Sequence, residues 1–379
     1  MINFDLGEEL KLIGETMHDF AVNELRPVAR EYEEVGKIDG KIIEKFDTLG
    51  IDFLDYPEEF GGLALDERNN AIINMELAYG DSALVLALNR PGIGGYLLDV
   101  FGSQEQKEKY FHEVKNKKGK FGFHLTNTGD PFDIYKVCLK YKQEGNDYIL
   151  NGKGKFTHNF DDSLYIITLA VPEKDNLDFS DLKMFIIPSD SNGLVKENAD
   201  DKLGLIAYRT GTIGYNNVKL SNNMELANFI DYEKQIVEFY KKYFLIMGAV
   251  LVGTGKAALD YAIDYSQERV AFGSAVALHQ GLSFIISDMA IQVEGAENIL
   301  KNAAWKLSVG KAKLPDIARA LSFILDMTEF VTPNAIQVLG GHGYIKDHPV
   351  EKFARDSKTI SLLCGSRLLV DELATKYLS

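Results

Sequence analysis

The spacing of apolar residues divides the chain into a helical part, a β-rich part and a second helical part. Leu6, Leu10, Ile13 and Met17 recur every three or four positions, which places them on one face of an amphipathic helix. We therefore predict an N-terminal helical domain over residues 1–119. Further helical patterns in it cover residues 42–49, 66–78, 83–88 and 104–114.

From residue 120 the apolar period shortens toward the alternation that is typical of β-strands. Asn151-Gly152 is interpreted as a turn between two of these runs. Short runs with such turns predict a small antiparallel sheet or barrel over residues 120–229. The β-rich runs cover residues 136–141, 148–150, 164–171, 184–187 and 212–220.

The helical period returns in the last part of the chain. Because the connections between the helical patterns are short, we expect neighbouring helices to pack antiparallel as a four-helix bundle over residues 230–379. The chain as a whole is thus predicted to be mainly α with a central β domain. The helical patterns cover residues 233–268, 277–309, 314–340 and 350–363.

Composition narrows the classes of function. The net charge of −15 argues against binding to nucleic acid or to an anionic membrane, since both favour clustered Lys and Arg. No apolar run reaches the roughly 18–20 residues that span a bilayer, and the acidic start of the chain does not resemble a signal peptide. Cys138 and Cys364 are too few and too far apart for a disulfide framework or a zinc site. We expect a cytoplasmic protein without a metal.

The stretch QVLGGHGYIKDHPVEKFARDSKTISLLCGS, residues 337–366, carries the most informative motif. Paired glycines let a backbone come close to a ligand, and free N–H groups beside a helix end suit a phosphate. The alternative is that the glycines only form a C-cap and turn. With Arg355-Asp356-Ser357-Lys358, the stretch resembles the C-terminal signature of the acyl-CoA dehydrogenase family. The resemblance spans nearly the whole chain and implies that family's fold: an N-terminal α-helical domain, a small β domain and a C-terminal four-helix bundle.

The resemblance also implies an FAD cofactor between the sheet and the bundle, reached partly by a neighbouring subunit. Thr126 and Asp133 match the family's Thr-Glu-Pro-x-x-Gly-Ser-Asp segment, whereas Pro131 and Phe132 depart from it. The remaining residues implied for the cofactor are Phe156, His158, Arg269, Phe272, Gln280, Gln337, Gly340, Gly341 and Ser366.

Phe156-Thr157-His158 stand where the family has Trp-Ile-Thr or Trp-Ile-Ser. Phe156 would pack on the flavin, and His158 would donate a hydrogen bond to it. Two alternatives stay open: the pair fills the core, or the size and charge of His158 exclude the cofactor.

The family's catalytic glutamate is missing. Its Glu-Gly-Thr loop corresponds to Cys364-Gly365-Ser366, and Tyr243 occupies the position on the first bundle helix where other members carry the glutamate. Cys364 would act as a base only if a cation such as Arg367 favoured its thiolate, and the alternative is buried packing. Tyr243 is a poor base and a reasonable hydrogen-bond donor. Arg90 would bind a carboxylate or sulfinate of an unusual substrate, or else form a surface salt bridge.

Three hypotheses for the function follow from this resemblance. The first is an FAD flavoprotein that acts on an acyl thioester, bound to coenzyme A or a carrier protein, with non-standard or impaired α-proton abstraction. The second is a non-catalytic subunit that completes the FAD site of an active paralogue in a heteromer. The third is a flavin monooxygenase of the same fold. The first also implies an electron-transfer partner and a homodimer or homotetramer.

Overall fold

The N-terminal part is helical, as predicted, in a computed structural model that describes residues 7–375. Asp66 and Ser103 begin two of its helices, because their side chains accept hydrogen bonds from backbone N–H groups of the first turn. The predicted first helix is present, but its expected first apolar residue, Leu6, lies outside the described residues. The helices are α1 (Gly7–Phe20), α2 (Ala29–Val35), α3 (Gly40–Asp47), α4 (Glu67–Gly80), α5 (Ser82–Leu88), α6 (Gly95–Phe101) and α7 (Gln104–Asn116).

The middle part forms a seven-stranded sheet. Its strands are β1 (Lys120–His124), β2 (Leu139–Glu144), β3 (Asp147–His158), β4 (Ser163–Pro172), β5 (Lys183–Pro188), β6 (Leu194–Ala199) and β7 (Thr210–Leu220). The sheet is mixed, and not purely antiparallel as expected, because β4 pairs in parallel with both β1 and β2. The β2–β3 hairpin lies between β1 and β4 in sequence, and β3 lies between β2 and β4, so each parallel pair has an intervening strand that supplies the return.

Asn151-Gly152 does not form the predicted turn. Both residues lie inside β3, where the register with β7 shifts between Leu150 and Gly152. The Asn151 side chain accepts a hydrogen bond from the backbone N–H of Asn217 at 2.8 Å, which ties this irregularity to the neighbouring strand. The hairpin turn is at Gly145, which has a φ of 63°. Asn151-Gly152, a dipeptide that often forms turns, is thus part of a β-bulge here, because the Asn151 side chain is hydrogen-bonded to the neighbouring strand.

The C-terminal part contains the predicted bundle helices. They are α8 (Tyr232–Glu268), α9 (Gln280–Ser308), α10 (Leu314–Leu339) and α11 (Val350–Leu363), followed by α12 (Ser366–Thr375). A short hairpin, β8 (Val270–Ala271) and β9 (Ser274–Ala275), joins α8 to α9 and was not predicted. The predicted fold class is confirmed, and the domain boundaries stay predictions. Across residues 7–375, no helix combines the length and apolar character needed to cross a membrane.

One buried ion cluster joins the three parts of the chain. The ammonium group of Lys352 in α11 contacts Asp81, which caps α5, and lies 2.6 Å from Asp356. Asp356 also accepts a hydrogen bond of 2.6 Å from the backbone N–H of Leu205, in the loop that leads to β7. Burial by itself would lower the pKa of Lys352, but the charges of Asp356 and Asp81 raise it above its usual value. The lysine is therefore held as a cation between two carboxyl groups.

Replacing Lys352 with Met should lower the free energy of unfolding by about 3–5 kcal/mol, because it leaves two buried carboxyl groups without their cation. The measurement is urea denaturation of the purified protein. Lys358→Met is the matched control in the same helix, since Lys358 is 62% exposed in its pair with Glu329 and such pairs contribute about 0–1 kcal/mol. Equal losses in the two variants would contradict a structural role for the cluster.

Candidate functional site

A cavity of about 920 Å³ lies where the sheet, α8 and α11 meet. This volume is within the range of about 300–1,000 Å³ that is usual for small-molecule and cofactor sites. Its wall is built from the ends of β1 and β3, the loop after β1, one turn of α8 and one side of α11. Five residues that the sequence implied for a site line it: Thr126, Phe156, His158, Tyr243 and Ser366.

Phe156 is presented to the cavity by a second bulge in β3. The register with β7 shifts between Gly154 and Thr157, and Phe156 has a φ of 53°, which is unusual for an aromatic residue. As a result, its side chain is 51% exposed and not packed into the sheet. An aromatic residue held open by strained backbone is typical of a ligand-contacting position.

His158 follows on the same strand and is buried in the cavity wall. Its ring stacks on that of Phe123, with centroids 4.2 Å apart and an angle of 8°. Its Nδ1 atom lies 2.8 Å from the hydroxyl oxygen of Tyr208. Burial lowers the pKa of His158 to about 3, with smaller contributions from the charges of Lys202 and His124. The imidazole is therefore neutral at physiological pH, and the charge considered in the sequence analysis does not arise.

Thr126 and Ser366 lie on two loops that pack against each other. The Thr126 hydroxyl donates a hydrogen bond of 2.9 Å to the carbonyl of Asp130 and so closes its own turn. A Cβ atom added to Gly129 would lie 2.8 Å from the Cα atom of Gly365, so glycine is required at this contact. The loop that holds Thr126 thus rests on the loop that corresponds to the family's Glu-Gly-Thr.

Neither candidate base is poised to remove a proton. Cys364 is buried, and its burial raises the pKa of the thiol well above the usual range. Arg367 is not directed to it, because its guanidinium pairs with Asp371 at 2.8 Å and with Asp326. Tyr243 donates a hydrogen bond of 2.8 Å to the carbonyl of Leu363, and burial raises the pKa of its phenol. Both groups are therefore neutral and serve as packing or hydrogen-bonding groups.

The other residues implied for the cofactor do not line the cavity. Arg269, Phe272 and Gln280 lie in or beside the β8–β9 hairpin, whereas Gln337, Gly340 and Gly341 lie at the end of α10, directly after the cavity-lining Ile336. The Gly340-Gly341 turn is joined to the end of α8 by a contact of 2.6 Å between His342 Nδ1 and the Tyr265 hydroxyl. A Cβ atom at either of these glycines would meet nothing within 4 Å, and Phe272 is 97% exposed. This surface, which we call the hairpin face, comprises Arg269, Phe272, Gln280, Gln337, Gly340 and Gly341.

Arg90 lies neither in the cavity nor on the hairpin face. It is buried, donates hydrogen bonds of 2.9 and 2.7 Å to Asp52, and contacts Asp47. Its contacts are those of an ion pair, as in the alternative raised from the sequence, but Arg90 itself is buried and only its carboxylate partners are partly exposed. This arrangement holds the loop before α6 against the N-terminal helices.

Tyr208 was missed in the sequence analysis. It lies in an irregular segment before β7, its ring is buried, and only its contact with His158 indicates a role. No motif marked it, because the two residues are 50 positions apart in the chain. The contact that identifies Tyr208 exists only in the folded chain.

The cavity wall fits the ring system of a flavin, which is planar and aromatic and carries hydrogen-bond acceptors at its edge. Phe156 supplies a half-exposed aromatic surface, and the neutral ring of His158 lies beside it. The rest of the wall contains apolar side chains, among them Leu125, Leu362 and Leu363, and also charged ones: Lys155, Lys202, Lys346, Glu351, Arg355 and Lys358. The residues present therefore suit a flavin ring in size and chemistry.

Curated relatives match along nearly the full chain. A probable acyl-CoA dehydrogenase of Bacillus subtilis, YngJ, is 28% identical over 95% of both chains. A 3-(aryl)acrylate reductase of Clostridium sporogenes is likewise 28% identical over 95% of both chains. The solved structure of butyryl-CoA dehydrogenase from Megasphaera elsdenii is 26% identical, covers 100% of both chains and has a TM-score of 0.90.

Two family models match the chain on either side of the β domain. The N-terminal domain of acyl-CoA dehydrogenase matches residues 7–117, and the C-terminal domain of acyl-CoA dehydrogenase matches residues 245–368. These ranges contain the N-terminal helices and most of the bundle, in the order that the fold requires. The chain belongs to the acyl-CoA dehydrogenase family.

Proposed function

We propose that this chain is an FAD-dependent oxidoreductase that acts on an acyl thioester, with the acyl group carried by coenzyme A or by an acyl carrier protein. FAD is the cofactor of the family, and when bound it supplies a hydride acceptor for the carbon β to the thioester. The observation that carries the proposal is the cavity, where Phe156, His158 and Ser366 meet the bundle helix that carries Tyr243.

We propose further that α-proton abstraction is impaired or follows a non-standard route. A positioned general base contributes about 10²–10⁴-fold to such a reaction. Cys364 and Tyr243 occupy the two positions where the family carries its glutamate, and both are buried and neutral. Reactions that need no base at the α-carbon, such as desulfination or oxygenation, therefore agree better with this site than dehydrogenation does. Reduction of an unsaturated thioester also needs no base, but the α-carbon must then receive a proton, and the neutral Cys364 thiol or Tyr243 phenol would have to supply it. The similarity to an arylacrylate reductase is consistent with reduction.

We propose that the hairpin face completes the cofactor site of a neighbouring subunit. The face exposes a phenylalanine almost entirely and presents two glycines with open space around them. Exposed apolar groups of this kind mark interaction surfaces. Arg269, on the same face, is a side chain suited to a pyrophosphate. The chain would accordingly act as a homodimer, a homotetramer or a heteromer with a paralogue.

A non-catalytic subunit is the second candidate, and one observation favours it. Tyr240 and Tyr243 of α8 donate hydrogen bonds of 3.0 and 2.8 Å to the carbonyls of Gly129 and Leu363. These bonds hold the loop of Gly129 and the C-terminal end of α11 against α8, on the side where a base would act. In this case the hairpin face would complete the FAD site of an active paralogue, and no substrate would be converted in the chain's own cavity.

Location and redox partner complete the proposal. Cys138 and Cys364 are both free thiols, and cytosolic proteins keep their cysteines reduced, which supports a cytoplasmic location. A flavoprotein that oxidises or reduces its substrate also needs a second redox partner. We propose an electron-transfer protein in this role.

Restoring the carboxylate should restore dehydrogenation if the missing base is the main defect. We expect Cys364→Glu, loaded with FAD and mixed anaerobically with saturated acyl-CoA thioesters, to lose flavin absorbance about 10²–10⁴-fold faster than the unaltered chain. Cys364→Gln is the matched control, since it has the same size without the base, and should remain slow.

Two results would contradict this expectation in different ways. Equal rates for the Glu and Gln variants would show that the base is not the missing element. Failure of the unaltered chain to retain FAD would overturn the stand-alone oxidoreductase and leave the non-catalytic subunit.

Changes on the hairpin face should weaken both cofactor binding and assembly. We expect Phe272→Ala and Arg269→Gln to lower FAD occupancy, measured by absorbance after gel filtration, and Phe272→Ala to shift the sedimenting species to a smaller mass. Ile230→Ala is the control, because Ile230 is also strongly exposed, at 83%, but lies just before α8 and away from the hairpin face. A monomer with full FAD occupancy would contradict a shared site.

A further inference from the structure

The contact between His158 and Tyr208 pairs two buried polar groups at the cavity wall. His158 is 6% exposed and Tyr208 is 1% exposed, and the 2.8 Å contact joins Nδ1 to the hydroxyl oxygen. Within residues 7–375, Nδ1 is the one hydrogen-bond partner of this hydroxyl, and Nε2 of His158 has no partner. Because His158 lines the cavity, the unpaired side of its ring belongs to the cavity wall.

The position of Tyr208 is fixed by its backbone. Its N–H donates a hydrogen bond of 3.0 Å to the carbonyl of Leu205, and its carbonyl accepts one of 3.1 Å from Lys202. Leu205 in turn donates its N–H to Asp356 of the buried ion cluster. The tyrosine is therefore held by the same cluster that joins the three parts of the chain.

The contact selects one tautomer of His158. A phenol has one O–H to donate, and leaving it unused in a buried place costs about 1–3 kcal/mol. If Nδ1 carried the proton, the ring would donate a hydrogen bond to the Tyr208 hydroxyl oxygen. The hydrogen of that hydroxyl would then have no acceptor. If Tyr208 donates, Nδ1 is the acceptor and the proton of the neutral ring lies on Nε2. The second arrangement pairs the buried Tyr208 hydroxyl and leaves the Nε2–H free to donate to a group in the cavity.

We propose that Tyr208 is a positioning residue that holds His158 as the Nε2–H tautomer, so that a neutral N–H donor faces the cavity and hydrogen-bonds an acceptor atom of the bound flavin ring. The proposal rests on the proposed function in one respect, namely that FAD occupies this cavity. It adds a second residue and a defined protonation state to the expected contact of His158.

A donor of this kind acts on the redox balance of the cofactor and not on proton transfer. Reduction places negative charge on the flavin ring, and a hydrogen bond to a charged acceptor is roughly twice as strong as one to a neutral acceptor. The donor therefore favours the reduced form. Because burial keeps His158 uncharged, its pKa being lowered to about 3, this preference is independent of pH in the physiological range.

The first test reads the tautomer directly. We would label the histidines of the full chain with ¹⁵N and assign the His158 ring signals by their loss in His158→Phe. The expected result is a protonated Nε2 and an unprotonated Nδ1, unchanged from pH 5 to pH 8. A proton on Nδ1, or titration within this interval, would overturn the proposal whether or not FAD is bound.

The second test measures the reduction potential of the FAD-loaded protein. We expect Tyr208→Phe to lower the ratio of reduced to oxidised flavin at a fixed potential by up to about tenfold, which is the difference between a hydrogen bond to a charged acceptor and one to a neutral acceptor. Tyr215→Phe is the matched control, since Tyr215 is equally buried, its hydroxyl is unpartnered among the described residues and it does not line the cavity. It should leave the ratio unchanged.

The outcomes separate this proposal from the proposed function. If all variants bind FAD and have the same reduction potential, the role of His158 as a donor to the flavin is overturned, and the proposed flavoprotein function stands. An unaltered chain that binds no FAD would overturn both. If the reduction potential shifts in Tyr208→Phe but not in Tyr215→Phe, and His158 is the Nε2–H tautomer, the proposed role of Tyr208 in positioning His158 is supported.

Discussion

The buried ion cluster of Lys352, Asp81 and Asp356 is the interaction on which the arrangement of the chain depends. One cation between two carboxyl groups, all nearly inaccessible to water, is tolerated only when each group keeps its partners. The cluster takes one member from the N-terminal helices and two from the bundle, and it reaches the β domain through the backbone of Leu205. The cavity lies beside α11, which carries Lys352 and Asp356, and beside the segment that leads to Leu205, so the cluster fixes two of its walls relative to each other.

The chemistry of the cavity depends on the burial of three titratable groups at or behind its wall. Burial moves the pKa of His158 down and the pKa values of Tyr243 and Cys364 up, so that each of these groups is neutral near pH 7. The raised pKa values keep Tyr243 and Cys364 from forming an anionic base, and the lowered pKa of His158 makes its imidazole a weak proton acceptor. The wall therefore suits a site that binds a flavin and adjusts its redox balance, while the base that the family uses is missing from it.

Much of the site was predictable from motifs, and the rest depended on contacts between distant parts of the chain. Thr126, Phe156, His158 and Ser366 were identified from local sequence and do line one cavity. The partner of His158 was not identified, because Tyr208 carries no motif. The sequence also did not show where the Arg367 side chain points, although Arg367 lies only three residues after Cys364. In the structure it pairs with carboxylates and not with the thiol.

The sequence by itself determined the order of helical, β and helical parts, because apolar spacing follows the 3.6-residue and two-residue periods of the elements. It also determined the family, through the motif at residues 337–366, and the absence of a carboxylate at either base position. Only the tertiary structure decided that β4 pairs in parallel, that Asn151-Gly152 is a bulge, and that the candidate bases are neutral. Strand pairing and burial depend on residues far apart in the chain, and no local pattern records them.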